Sequence, residues 1–224
     1  FIAGGSTILP MYISIGYGGS QIYSSPAGTQ WTSMSSLSSF FSYPQFIGRL
    51  NNLWYIGGYG TTNNSNIIYS TDDGVSWTSA NCTAFNGGST YVSSISFNGT
   101  NKWVAVGQSS TNIFATSSDG LTWTGGGTTV VSLLWANTTS YANGIFHIGG
   151  IGLDYVCYYS SDNASTWSVC PVSYDTVQQI VYYNNLWLFL QDNYIAYSAD
   201  GTTTITSVSY YRAKCAAYGA GKWV

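Results

Sequence analysis

Ser70-Thr71-Asp72-Asp73-Gly74-Val75-Ser76-Trp77 is the stretch on which the fold reading turns, because the 224-residue chain carries it in five versions. In the same register stand Thr116-Ser117-Ser118-Asp119-Gly120-Leu121-Thr122-Trp123 and Ser160-Ser161-Asp162-Asn163-Ala164-Ser165-Thr166-Trp167. Two looser versions are Ser24-Ser25-Pro26-Ala27-Gly28-Thr29-Gln30-Trp31 and Ser198-Ala199-Asp200-Gly201-Thr202-Thr203-Thr204-Ile205. They begin at residues 24, 70, 116, 160 and 198, at intervals of 46, 46, 44 and 38. The local chemistry is that of a turn: the Asp carboxylate accepts backbone N–H groups, Gly takes a left-handed conformation, and the closing Trp packs against the hairpin.

Working outward, an aromatic-led alternating segment precedes each version by about a dozen residues. These segments are Met11–Gly16, Leu53–Gly58, Lys102–Gly107, Ile145–Gly150 and Leu186–Leu190. Asn51-Asn52, Asn98-Gly99, Asn143-Gly144 and Asn184-Asn185 stand before four of them, and such pairs supply the positive φ of tight hairpins. Shorter alternating runs lie further upstream, at Val92–Phe97, Val131–Trp135 and Gln179–Tyr183. The unit therefore reads strand, hairpin, strand, loop, strand, turn, strand. Four short antiparallel strands at this period make an all-β protein, a β-propeller with one blade per repeat.

The repeated turn resembles the Asp-box, or bacterial-neuraminidase repeat, Ser-x-Asp-x-Gly-x-Thr-Trp. The residues that carry the resemblance are Ser24, Gly28 and Trp31; Ser70, Asp72, Gly74 and Trp77; Thr116, Gly120 and Trp123; Ser160, Asp162 and Trp167; and Ser198 and Asp200. It spans about Met11 to Ser207 and implies a structural clip between the third and fourth strands of each blade. A looser similarity links the Trp103–Gly107 and Thr116–Trp123 pattern to low-charge propeller repeats of large-virus and phage surface proteins. Six or seven blades are expected in the complete ring.

Composition narrows the function. Charged residues are 6% of the chain, against about 25% in an ordinary soluble domain. The net charge is −3, with Arg49, Lys102, Arg212, Lys214 and Lys222 as the cations. That set cannot neutralise a row of phosphates, so nucleic acid is excluded as a partner. No apolar run approaches the length of a membrane-spanning helix. Hydrophobic residues at 45% and twenty Tyr provide a core, so the chain is not disordered.

The Asp-box resemblance invites a sialidase, whose chemistry implies an arginine triad, a Tyr activated by Glu, and an acid/base Asp. With two Arg and no Glu, that machinery cannot be assembled. Asp72, Asp73, Asp119, Asp162 and Asp200 fall in the turns, while Asp154, Asp175 and Asp192 are dispersed over three loops. A glycoside hydrolase on a degenerate propeller, which would need two carboxyl groups facing one sugar, is the alternative reading. His147 is the only histidine, which rules out a multi-histidine metal site, and its alternating strand marks it as packed. No metal and no cofactor are expected.

Stepping outward from Ser160 and Trp167 places Cys157 opposite Cys170, close enough for a disulfide. Cys82 and Cys215 have no evident mutual partner. Asn63, Asn81, Asn98, Asn137 and Asn163 begin Asn-x-Ser/Thr sequons, all read as turns or loops that could carry glycans. Ser and Thr form about a quarter of the chain, and together with Tyr, Gly and Asn they give loops the composition of adaptable binding surfaces. Tyr17, Tyr59, Tyr91, Trp135, Tyr141 and Tyr155 are the candidate face aromatics.

Residues 1–224 form one propeller domain in this reading. Phe1–Gly5 lacks the features of a signal peptide, while Ser209–Ala217 and Gly221–Val224 resemble the first strand and half the second strand of another blade. A stretch of a longer protein, a ring closed by pairing the two ends, and strands exchanged between subunits are all open, the first two favoured. The expected role is non-enzymatic: an extracellular or virion-surface module that assembles with itself or other structural proteins, or adheres to glycans.

Overall fold

The computed structural model describes residues 12–16, 21–62, 66–85, 90–127, 132–172, 175–203, 205–210, 212–219 and 221–223. Blade one comprises β1 (Tyr12–Ile15), β2 (Gln21–Ser25) and β3 (Thr32–Ser36). Blade two comprises β4 (Phe41–Leu50), β5 (Leu53–Gly60), β6 (Ile67–Ser70) and β7 (Thr78–Ser79). A two-residue strand, β8 (Asn81–Cys82), leads into blade three: β9 (Tyr91–Phe97), β10 (Trp103–Gln108), β11 (Phe114–Ser117) and β12 (Thr122–Gly125). Blade four holds β13 (Leu133–Ala142), β14 (Ile145–Gly152), β15 (Cys157–Ser160) and β16 (Ser168–Val169). Blade five holds β17 (Val177–Tyr183), β18 (Leu186–Gln191), β19 (Tyr194–Ser198) and β20 (Thr206–Ser209). A last hairpin pairs β21 (Tyr218–Gly219) with β22 (Lys222–Trp223).

Within each blade the strands pair antiparallel in chain order. The exception to that pattern is β8, which runs parallel along β12 and so ties the exit of blade two to the outer edge of blade three. The aromatic-led segments became β1, β5, β10, β14 and β18, as their alternation predicts. The Asn pairs take the required backbone, with φ of 50° and 63° at Asn51 and Asn52, and 51° and 59° at Asn184 and Asn185. Gly107 stands at a register shift within β10 for a steric reason: an added Cβ would run into the Tyr91 carbonyl on the paired strand.

The blade-four inner strand runs over Leu133–Ala142, longer at its far end than the alternating run Val131–Trp135, whose first residue lies outside the described residues. Its polar half, Asn137-Thr138-Thr139, looks like loop because no residue there is apolar. In the fold these side chains face neighbouring blades at a bulge between Ala136 and Thr138. Thr138 Oγ1 accepts the Ile180 N–H at 3.3 Å, Ser96 Oγ and Thr139 Oγ1 are 2.9 Å apart, and Ser93 Oγ donates to the Ala136 carbonyl at 2.6 Å. The Ser and Thr residues of the inner strands, Ser93, Ser96, Thr138 and Thr139, are therefore inter-blade stitching, where a hydroxyl satisfies backbone groups that burial would orphan.

Four apolar clusters lie between successive blades. Ile22, Phe41, Ile56 and Ile68 join blades one and two, and Tyr55, Ile67, Val92, Trp103 and Trp123 join two and three. Val104, Phe114, Phe146, Ile148 and Tyr158 join three and four; Cys157, Val177, Trp187 and Phe189 join four and five. The core is thus distributed over the interfaces, and each buried large side chain contributes about 1.5–3 kcal/mol. The architecture is that of β-propeller blades. Among the described residues no helix is long and apolar enough to cross a membrane.

Candidate functional site

The blades have two ends with different chemistry. One end carries the Asn hairpins and the Ser-x-Asp turns; the other carries the loops between second and third strands and between blades.

At the first end the turns are closed clips. Ser70 Oγ donates to Asp72 Oδ1 at 2.7 Å and accepts the Gly74 N–H at 2.8 Å. Asp72 also accepts the Ser76 N–H at 2.9 Å and its hydroxyl at 2.6 Å, while Trp77 Nε1 donates to the Gly74 carbonyl at 3.0 Å. The Ser76 hydroxyl and N–H, with Ser70, hold the Asp72 carboxyl down at about 2. Thr166 and Ser160 do the same to Asp162, also about 2. The Thr122 N–H leads in lowering Asp119. Asp200 is bonded in the same way, to Ser198 Oγ at 2.7 Å and Thr203 Oγ1 at 2.8 Å.

The structure corrects two of the clip serines. In blade three the hydroxyl that bonds Asp119 (2.9 Å) and the Gly120 N–H (2.8 Å) belongs to Ser117, not Thr116. In blade one Ser25, not Ser24, accepts the Gly28 N–H at 2.8 Å. Thr116 and Ser24 instead pair in the ladder with Val104 and Ile13. The cause is turn length: glycine follows the clip serine by three residues in Ser25, Ser117 and Ser198, whereas Ser70 and Ser160 reach Gly74 and Ala164 four residues on. Aligning on Trp31 and Trp123 shifts the turns of Ser25 and Ser117 by one, whereas the version at Ser198 has Ile205 in place of Trp and keeps its register. Trp31 is also unlike its counterparts, being 45% exposed where Trp123 is buried.

The disulfide is corrected as well. Cys157 and Cys170 do face each other, with the Cys170 N–H on the Cys157 carbonyl at 3.0 Å, yet both are free thiols, as are Cys82 and Cys215. Burial, and then the neighbouring Cys157 thiol, push the Cys170 thiol upward. His147 is fully buried; its Nε2 lies 2.7 Å from the Gly201 carbonyl, and burial lowers its pKa to about 4.

The sequons scatter. Asn63 lies outside the described residues. Asn81 is exposed but sits in β8 rather than a turn. Asn137 lies within β13, and its amide donates across the blade gap to the Val177 carbonyl at 3.0 Å, which overturns its placement in a loop. Asn98 caps its own hairpin through Oδ1 and donates from Nδ2 to Asn163 Oδ1 at 2.9 Å, linking blade three to the clip of blade four.

The loop end gathers most of the candidate aromatics. Tyr59 and Tyr91 stack across the gap between blades two and three with centroids 4.5 Å apart, and the exposed Tyr43 meets Tyr59 edge-on at 6.1 Å. Trp135 and Tyr155, each 43% exposed, mark blade four beside the exposed Leu134 and Leu153. A cleft of ≈360 Å³ lies there, lined by Asp154, Tyr155, Cys170 and Pro171 among others. Tyr17 falls outside the described residues. Tyr141 belongs to the opposite end, half-buried against Phe146 at 4.5 Å, and is inter-blade filling.

The loop end also holds a charged cluster not anticipated from sequence. Asp192 accepts from Lys214 Nζ at 3.0 Å and Gln178 Nε2 at 2.9 Å, and Asp175 accepts the Thr176 N–H at 3.0 Å and the Asn193 N–H on the same β18–β19 turn. Asp175 and Asp192 are therefore brought together, not dispersed. The register that pairs Val177 with Gln191 is the signal that could have found them. Among the described residues, no three His, Cys, Asp or Glu side chains group as a metal site.

No protein-family model matches the chain, and no curated protein sequence matches it. Solved structures do. One described as "YCF48 bound to D1 peptide" superposes with a TM-score of 0.57 at 16% identity, over 84% of this chain and 60% of that one. At that identity the likeness concerns the fold. The chain spans about three fifths of the length of that structure.

Proposed function

We propose that the chain is a non-enzymatic binding β-propeller of Asp-box type that engages a protein partner with its loop end, in an extracellular or virion-surface assembly. The observation that carries the reading is the Tyr43–Tyr59–Tyr91 cluster, an uncharged aromatic platform across two blades. Tyr supplies large, rigid contact area at small entropic cost, which suits a binding surface. The carboxylates of Asp72, Asp119, Asp162 and Asp200 are occupied in the clips, which favours binding over hydrolysis. The solved structure that shares the fold is bound to a peptide, which favours a protein segment over a glycan as ligand. Six or seven blades form the complete ring in this proposal.

The test is a peptide display library and a glycan array probed with the chain and with Tyr59→Ser and Tyr91→Ser. Peptide enrichment that falls at least tenfold in both variants is the expected result. Enrichment indifferent to both substitutions, or turnover of any arrayed glycan, overturns the proposal.

A further inference from the structure

We infer that the cleft on the loop end of blade four receives an arginine side chain of the protein partner, with Asp154 as its counter-ion. The inference rests on the reading of the loop end as a peptide-binding surface and names the chemistry of the segment bound there.

The chain has no Glu and eight Asp, all of them among the described residues, and seven are employed within the chain. Asp72, Asp119, Asp162 and Asp200 close the clips. Asp73 pairs with Arg49 at 3.3 Å, Asp192 pairs with Lys214 at 3.0 Å, and Asp175 accepts two backbone N–H groups. Asp154 alone makes neither a hydrogen bond nor an ion pair, and it is exposed. A chain with charged residues at 6% thus leaves one carboxylate uncommitted, at the end that carries the aromatic platform.

The surroundings of Asp154 are apolar and braced. It stands in the four-residue turn 153–156 between β14 and β15, tied by the Gly150 N–H on the Val156 carbonyl at 2.9 Å. The chain doubles back so closely that an added Cβ at Gly152 would collide with the Tyr155 carbonyl. Beside Asp154 the cleft of ≈360 Å³ is walled by Val156, Val169, Cys170, Pro171 and Val172. Tyr155 lines the same cleft and meets Tyr158 edge-on at 6.4 Å, and the Tyr158 hydroxyl accepts the Ser132 N–H at 3.1 Å. No Lys or Arg of the chain lines the cleft among the described residues.

Arginine fits this set. Its planar guanidinium offers two parallel N–H bonds to a carboxylate, stacks on an aromatic ring, and is weakly hydrated, so apolar walls cost it little. An acidic segment is repelled by Asp154, and a purely apolar one would desolvate that carboxylate without pairing it. The Val and Pro walls then take an aliphatic neighbour of the arginine.

The probe is the dipeptide amide acetyl-Leu-Arg-NH2, titrated to about 10 mM into the isotopically labelled 224-residue chain and followed by amide chemical shifts. Saturable shifts are expected at Leu153, Asp154, Val169 and Cys170. Citrulline in place of the arginine keeps the shape and removes the charge, and should weaken binding at least tenfold. Asp154→Asn should do the same, and as an exposed change with no partner in the chain it leaves the fold intact. Tyr59→Ser and Tyr91→Ser lie on other blades and should bind the probe as the natural chain does, so failure of the platform and failure of this contact are read separately. Absence of saturable shifts at the four residues, or shifts unchanged by citrulline or by Asp154→Asn, overturns the inference.

Discussion

His147 of blade four donates its Nε2–H to the carbonyl of Gly201 in the clip of blade five, at 2.7 Å. A carbonyl can only accept, so the neutral Nε2–H tautomer is required, and Nδ1 is left buried with no partner. The rings of Trp187, Phe189 and Tyr159 surround it. One side chain therefore joins two blades in a site that disfavours its charged form.

From this follows an acid-sensitive interface. In the unfolded chain His147 takes up its proton near its ordinary 6.5; in the folded chain it does so only near about 4. Unfolding thus binds a proton in this window, and stability present above pH 6.5 is lost as pH falls towards 4, by about 3 kcal/mol. Asp72 and Asp162 add a second loss lower down, between their ordinary 3.8 and about 2. Urea unfolding midpoints measured from pH 8 to pH 3 should decline in the upper window for the natural chain and stay flat there in His147→Gln.

The clip of blade three offers a test of register. Ser117→Ala should destabilise by about 1–2 kcal/mol, since it orphans the Gly120 N–H and an Asp119 bond, whereas Thr116→Ala should cost less. Equal midpoints in thermal melts of the two variants would reject the assignment.

Tyr55 carries a buried hydroxyl with no hydrogen-bond partner, raised to about 12 mainly by burial and then by the nearby Asp119. Tyr55→Phe should therefore stabilise the chain, by about 1 kcal/mol. Gly120→Ala should destabilise it, because residue 120 needs φ of +76° and a Cβ meets that hydroxyl. The double variant should recover part of the loss, read from denaturant midpoints.

Thiol chemistry reports the cysteines directly. Cys215 is exposed, while Cys82, Cys157 and Cys170 are buried, with Cys82 pushed up to about 11 by burial. A disulfide-exchange reagent added to the folded, reduced chain should label one thiol quickly and the other three only on unfolding. Fast labelling of two or more would contradict the packing.

Features that depend on neighbours within a dozen residues were legible in advance. Asn51-Asn52 and Asn184-Asn185 dictate their own hairpins, the Asp72 and Asp162 carboxylates close their own turns, and the leading aromatics of β5, β10, β14 and β18 mark the middle strands. Features decided across blades were not. Asn137 looks like loop because its partner, the Val177 carbonyl, is forty residues away. Tyr59 and Tyr91 become one platform, and Tyr141 does not join it, only when strand ends are assigned to opposite sides of the blades.

By itself the sequence determined the repeat, the strand order within each blade and the structural employment of most of its acidic residues, because these follow from spacing and turn chemistry along a short length of chain. The tertiary structure alone decided which serine closes each clip, which polar residues stitch blades together, that Cys157 and Cys170 face each other as thiols, and that Asp175 caps the turn that carries Asp192. Those outcomes depend on register and on packing between segments dozens of residues apart, and a one-residue change in turn length is enough to redirect them.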